Sequence, residues 1–151
     1  MGRQRQRERY RPERRDSEGI REAIRHISSL ERLKEWDAAD LVERANAIGG
    51  DLSRKMTTSQ IRNFLDEVNR IHAETQGRGA EFNSSRVILL KPLLAYSAGR
   101  ETGDKREVLK SFAELFSAAA DKVQDASDFK HFVDFTRAVV AYHRFYGGRN
   151  Q

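Results

Sequence analysis

Residues 89–100 read LLKPLLAYSAGR, and the reading of this stretch governs the rest of the chain. It is the most apolar part of the sequence, yet Lys91 stands inside it and Arg100 closes it. On a helical wheel its apolar side chains point in every direction, the pattern of an interior helix and not of a surface one. Interior positions rarely hold Lys or Arg, because an unpaired buried charge is costly. Lys91 and Arg100 therefore need partners within the protein, or they reach a surface that binds something anionic. Pro92 removes a backbone donor in mid-segment, so a helix here is kinked or split, and a split would put Pro92 at a helix first position.

Outward from this stretch the apolar residues recur at helical spacing. Ser17 has the form of an N-cap, followed by Ile20, Ile24, Ile27 and Leu30 in a first helix to about Trp36. Asp37 caps a second with Leu41, Val42, Ala45 and Ile48, ended at Gly49-Gly50 by a left-handed C-cap. Thr57-x-x-Gln60 has the form of a capping box, ahead of Ile61, Phe64, Leu65, Val68 and Ile71 in a third helix that stops near Gly77. Arg78 to Glu81 read as loop. Asn83 or Ser84 opens a fourth helix through residues 89–100. Asp104 caps a fifth, with Val108, Leu109, Phe112, Leu115, Phe116, Ala119 and Val123. Ser127 or Asp128 begins a sixth, with Phe129, Phe132, Val133, Phe135, Val139, Val140, Tyr142 and Tyr146, ending at Gly147-Gly148. No segment alternates with period two for long. The expected fold is all-α, a single-domain bundle of about six helices over residues 17–148. A disordered Arg-rich tail at 1–16 precedes it, and a short tail at 149–151 follows.

Composition bounds the function. The 151 residues suffice for one domain with a real core, and charged residues at 34% keep its surface solvated. There is no cysteine, which excludes a disulfide framework and fits a reducing compartment. No apolar run approaches the roughly 20 residues of a membrane span. The basic N-terminus lacks the apolar stretch of a secretory signal. The expectation is a soluble, cytoplasmic protein that does not engage a membrane. Residues 1–16 hold seven arginines against Glu8, Glu13 and Asp16, a net of +4 of the chain's +5. The pI of 9.7 is thus mostly a property of this tail. Such a tail points to an anionic partner such as nucleic acid, or is simply a solvated arm.

Catalytic patterns are missing. No Gly-rich phosphate loop with Lys-Ser/Thr and no His-Glu-x-x-His occurs. His26, His72, His131 and His143 are not spaced as ligand pairs, so no metal site and no cofactor are expected. His72 and His143 fall on apolar stripes, where a satisfied core histidine is the usual explanation. The basic residues are more orderly. Lys130, Arg137 and Arg144 repeat every seven residues, close to two turns, and form one stripe beside the apolar face of the sixth helix. Arg21, Arg25 and Arg32 share a flank of the first helix, and Arg62 and Asn69 a flank of the third. Three such flanks could line a groove for a phosphate backbone. They could equally be solvated edges paired with acids on neighbouring helices. Phe64, Phe112, Phe116, Phe129 and Phe132 fall on core faces. Tyr96, Tyr142, Phe145 and Tyr146 are left open between packing and base stacking.

Three segments together carry a likeness to a known family: TTSQIRNFLDEVNRI from Thr57, LLKPLLAYSAGR from Leu89 and FVDFTRAVVAYHRFYGG from Phe132. In content, order and spacing they resemble the small subunit of the type III-A CRISPR–Cas effector, the Csm complex, over roughly Leu52 to Gly148. The resemblance implies an all-helical, non-catalytic subunit of antiviral defence. It would lie in several copies beside the backbone and large signalling subunits and contact target RNA and the guide–target duplex without reading sequence. It places Arg62, Lys91 and Arg100 among the RNA-facing positions, and the helical wheel adds Lys130, Arg137 and Arg144. The Arg-rich tail and the first helix have no counterpart in it. Two rivals remain: a helical protein–protein adaptor that does not bind nucleic acid, and a small helical enzyme with a composite site at an oligomer interface.

Overall fold

Helix starts in this chain follow its capping side chains, and a computed structural model shows where they act. It describes residues 12–76 and 81–148, with side chains from Glu18 onward. The elements are α1 (Pro12–Ser29), a 3-10 turn (Leu33–Glu35), α2 (Ala38–Leu52), α3 (Thr58–Thr75), a one-turn α4 (Ser84–Ile88), α5 (Leu90–Gly99), α6 (Gly103–Ala120) and α7 (Ala126–Phe145). Among the described residues there is no β-strand, and the fold is the expected all-α single domain. No helix among them is long and apolar enough to cross a membrane. Residues 1–11, 77–80 and 149–151, with the expectations placed on them, lie outside the described residues.

The capping box at the start of α3 forms as expected: Gln60 N donates to Thr57 Oγ1 at 3.1 Å and Thr57 N donates to Gln60 Oε1 at 2.9 Å. Asp37 and Asn83 cap α2 and α4 through the amides of Asp40 and Ser85. Other boundaries differ from expectation. The helical backbone already begins at Pro12, so Ser17 lies inside α1 and does not cap it. α7 is capped by Asp125, one turn ahead of Asp128, in a second reciprocal box. Thr102 precedes α6 without a side-chain bond, and Asp104 sits in the first turn. There its charge still favours the helix dipole. α1 stops at Ser29 and does not reach Trp36, because the next residues serve burial: Leu33 N donates to Lys122 O at 2.9 Å, and the Trp36 ring meets Phe135 at 4.7 Å.

Gly49 and Gly50 do not end α2, which runs on to Leu52. Gly49 is needed for proximity. A Cβ there would stand 2.7 Å from Tyr142 Cβ and 2.8 Å from Val139 O on α7, so only glycine lets the two helices close. The split of the fourth helix is real, but it falls at Leu89 and leaves Pro92 third in α5. A first-turn residue has no intrahelical acceptor for its N–H, so the proline costs nothing there.

The interior-helix expectation for residues 89–100 is overturned. Leu90, Leu94 and Ala98 are buried, while Leu89 is 64% and Tyr96 66% exposed, with Ile88 and Leu93 exposed beside them. α5 packs on α6 and α4, and its outer side has no cover among the described residues. The true interior is aromatic. Trp36, Phe135, Phe116, Phe64 and Phe112 form a chain of ring contacts from the 3-10 turn through α7 and α6 to α3, with centroids 4.7–5.4 Å apart. Phe129 and Phe132 are buried beside them, as their positions on the apolar stripe implied.

Among the described residues one carboxylate is fully buried. Asp128 is fully buried and accepts from Arg32 Nε at 2.7 Å and from the amides of Lys34, Gln124 and Asp125. Burial works against its ionisation, but the amide bonds from Gln124 and Lys34, then Arg32, hold it below the ordinary carboxylate range. The Asp128 amide and then the Arg32 guanidinium hold Asp125 down at about 2. At the other end of α7, buried His143 places Nε2 2.8 Å from the Met56 carbonyl, the satisfied core histidine expected of it.

These depressed carboxyls bind fewer protons folded than unfolded, so stability rises with pH through their titration. The Asp125 contribution is complete above its ordinary value of 3.8 and drains away as pH falls toward 2. Urea unfolding followed by circular dichroism should show a stability plateau near neutrality and a steep decline below about pH 4. At neutral pH, Asp128→Ala should cost about 3–5 kcal/mol, because it removes one of the two carboxylates on Arg32 and strips the acceptor from the amides of Lys34, Gln124 and Asp125. A flat acid limb, or a loss under about 1 kcal/mol, contradicts the clasp.

Candidate nucleic-acid interface

α3 and α7 run antiparallel. The C-terminal turn of α7 meets the start of α3 through His143 and Met56, and the other ends meet through His72 and Phe129, whose rings are 6.1 Å apart. Along the outer edge of this pair, Arg137 Nε and Nη2 both donate to Asn69 Oδ1, at 3.2 and 3.0 Å. That fork joins the two flanks read from the sequence. Arg62 stands seven residues before Asn69 on α3, and Lys130 and Arg144 stand seven to either side of Arg137 on α7. A seven-residue step nearly closes two turns, so all four cations share this edge.

Their states differ. Arg62 and Arg144 are exposed, and their side chains have no hydrogen bond or ion pair among the described residues. Arg137 is held by a neutral amide, which orients the guanidinium without cancelling its charge. Lys130 leans on Asp134 at 3.4 Å, an exposed i,i+4 pair that water and salt weaken. Asp66 lies one turn beyond Arg62 and is exposed.

The remaining cations do not extend this edge. Lys91 is half-buried and ion-paired to Asp121, so it ties the start of α5 to the end of α6. That pairing is the internal partner its apolar surroundings demanded. Arg100 is exposed with its guanidinium 5.8 Å from the centroid of Tyr96, a cation–π contact that leaves the charge available. Lys91 is on α5 and Arg100 caps its C-terminus, and no hydrogen bond or ion pair joins either side chain to the α3–α7 edge. The three-helix groove is not formed either. Arg32 has left the first helix and is spent on Asp125 and Asp128, while Arg21 and Arg25 ride on α1, which packs on α6 and α2. Arg44 and Arg86 are likewise paired, with Asp40 and Glu74.

Among the described residues no three side chains of His, Asp and Glu gather to hold a metal ion. Two open clefts, of about 530 and 540 Å3, flank α6 and are lined by lysines and arginines mixed with Asp and Glu, without a histidine.

Residues 34–149 match the model of the Csm2 Type III-A family. The chain belongs to that family. Among curated proteins, it is similar to the "CRISPR system Cms protein Csm2" of Streptococcus thermophilus, with 30% identity over 95 residues covering 63% of this chain and 76% of that protein. The family match begins well before Leu52, so α2 is part of the shared fold, which the three quoted segments alone did not suggest. Membership supports a structural, small-subunit role in a type III-A CRISPR effector complex.

For this Csm2 family member the pairing pattern makes a sharp distinction between cations. Arg62→Ala and Arg144→Ala should each leave stability within about 0.5 kcal/mol of the parent in urea titrations, since neither side chain holds anything together. Lys91→Ala should lower it measurably more. A large loss at Arg62 or Arg144 would make those arginines structural.

Proposed function

We propose that the chain is a non-catalytic, RNA-binding structural subunit that holds target RNA along the α3–α7 edge without reading its sequence. The observation that carries this reading is the set of guanidiniums at Arg62, Arg137 and Arg144. They line one rigid edge, and no carboxylate neutralises them among the described residues. Lys130 extends the edge, held only by a weak exposed pair. Arg100 is a further contact on α5, and Lys91 serves the fold. Phosphate contacts position a strand but carry no sequence information, so recognition falls to base pairing between guide and target. Backbone and large signalling subunits, and other copies of this chain, would complete the assembly. A chain without cysteine whose ligand is RNA fits the cytoplasm.

The exposed apolar face of Ile88, Leu89, Leu93 and Tyr96 favours a second reading, a protein–protein adaptor that leaves nucleic acid alone. A structural subunit needs a packing face as well, so this face by itself does not exclude RNA from the α3–α7 edge. Purification after nuclease treatment separates the two readings: an adaptor keeps its partners, and an RNA binder loses its RNA.

Binding of single-stranded RNA to the isolated chain should be weak, indifferent to sequence and strongly dependent on salt. Three phosphate contacts give a log–log slope of about −2. Arg62→Ala and Arg137→Ala should each make the slope shallower by about 0.7 and weaken binding to every sequence alike. Affinity that ignores salt, or that discriminates among sequences by orders of magnitude, overturns the reading.

A further inference from the structure

The last turn of α7 carries an aromatic group that packing does not use up. Phe145 is 75% and Tyr146 49% exposed, and Tyr142 is half-buried beneath them. Phe145 stands edge-on to Tyr146, with centroids 5.0 Å apart and planes at 79°, and edge-on to Tyr142 at 6.4 Å. The group is braced. The Tyr146 hydroxyl donates to Asn46 Oδ1 at 2.6 Å. Its ring lies over Gly50 of α2, where a Cβ would come within 3.3 Å. Gly147 then turns the chain away at φ +82°, a conformation that favours glycine. Phe145 is therefore held upright in solvent by two tyrosines, one of which is anchored to a neighbouring helix.

Its place on the helix suggests an occupant. Phe145 follows Arg144 directly, at the end of the cationic stripe through Lys130 and Arg137. Phe145 lies one residue, about 100°, further round the helix than Arg144, within reach of the bases of a strand whose phosphates lie on that stripe. We propose that Phe145, braced by Tyr146 and Tyr142, is a stacking platform for an unpaired nucleobase of the bound RNA. Phenylalanine has no hydrogen-bonding group, and the Tyr146 hydroxyl is already engaged. The platform thus offers a ring face to any base and discriminates among none. The two exposed rings are nearly perpendicular, so one base stacks on Phe145 while Tyr146 supports its side. The inference rests on the RNA-binding reading above and adds a base contact to a surface otherwise built for phosphates.

The test compares two single strands of equal length, one of mixed sequence and one abasic, each titrated against the full chain. A 2-aminopurine in the mixed strand reports stacking by quenching. The parent protein should prefer the strand with bases. Phe145→Ala should lose about tenfold of that affinity and most of the quenching, with abasic affinity unchanged. Phe145→Trp should retain both, and Arg137→Ala should weaken both strands in parallel. Phe145 is largely exposed, so circular dichroism should show all variants folded. Equal binding of both strands by the parent, or a Phe145→Ala variant that behaves like it, overturns the platform and leaves the phosphate reading standing. If the parent binds neither strand, both fall. If Phe145→Ala abolishes self-association while RNA affinity holds, the aromatic group belongs to a protein interface and the platform is wrong.

Discussion

The covering of α7 is the constraint on which the rest of the molecule depends. α2, α3 and the 3-10 turn pack against this one helix, and Phe129, Phe132, Val133, Phe135, Thr136, Val139 and His143 are all buried on it. A helix enclosed on so much of its circumference has one strip left where charge can meet water. Lys130, Arg137 and Arg144 occupy that strip because no other position would tolerate them. Both ends of the helix are fixed in place, one by the buried Asp128 carboxylate and the other by the His143 bond to the Met56 carbonyl. The cations therefore project from a helix anchored at both ends.

Pairing then sorts the cations into two kinds. Arg32, Arg44, Arg86 and Lys91 each close on a carboxylate and join segments distant in sequence or one turn apart. Arg62 and Arg144 close on nothing among the described residues, and Arg137 closes on an amide that leaves its charge intact. The two kinds are alike in composition and nearly alike in helical position. What separates them is whether the packing of other elements brings an acid within reach. Whether a cation is paired or left open is thus a tertiary property.

That explains which expectations survived contact with the structure. Capping residues with a local partner, such as Thr57 with Gln60 and Asp37 with the Asp40 amide, were legible because the interaction spans a single turn. The aromatic core was legible from periodicity alone. Gly49 was misread, because its meaning lies in Tyr142 and Val139, roughly ninety residues on, and no local rule announces a close approach of two helices. Residues 89–100 were misread for a related reason. All-round hydrophobicity signals burial only if something covers every side, and here α6 and α4 cover one side and leave Leu89, Leu93 and Tyr96 exposed. Arg32 looked like one more residue of a basic flank until the chain turned at Ser29 and delivered it to Asp128. In the candidate site the seven-residue spacing was legible along each helix, but only the fold could show that Asn69 links the two flanks.

The most direct test of the α3–α7 edge is ultraviolet cross-linking of target RNA to the chain within its assembled effector, with the attached peptides identified by mass spectrometry. Cross-links concentrated between Arg62 and Asn69 and between Arg137 and Tyr146 are the predicted result. Cross-links confined to α1 and α2, or to the exposed face of α4 and α5, would contradict the account.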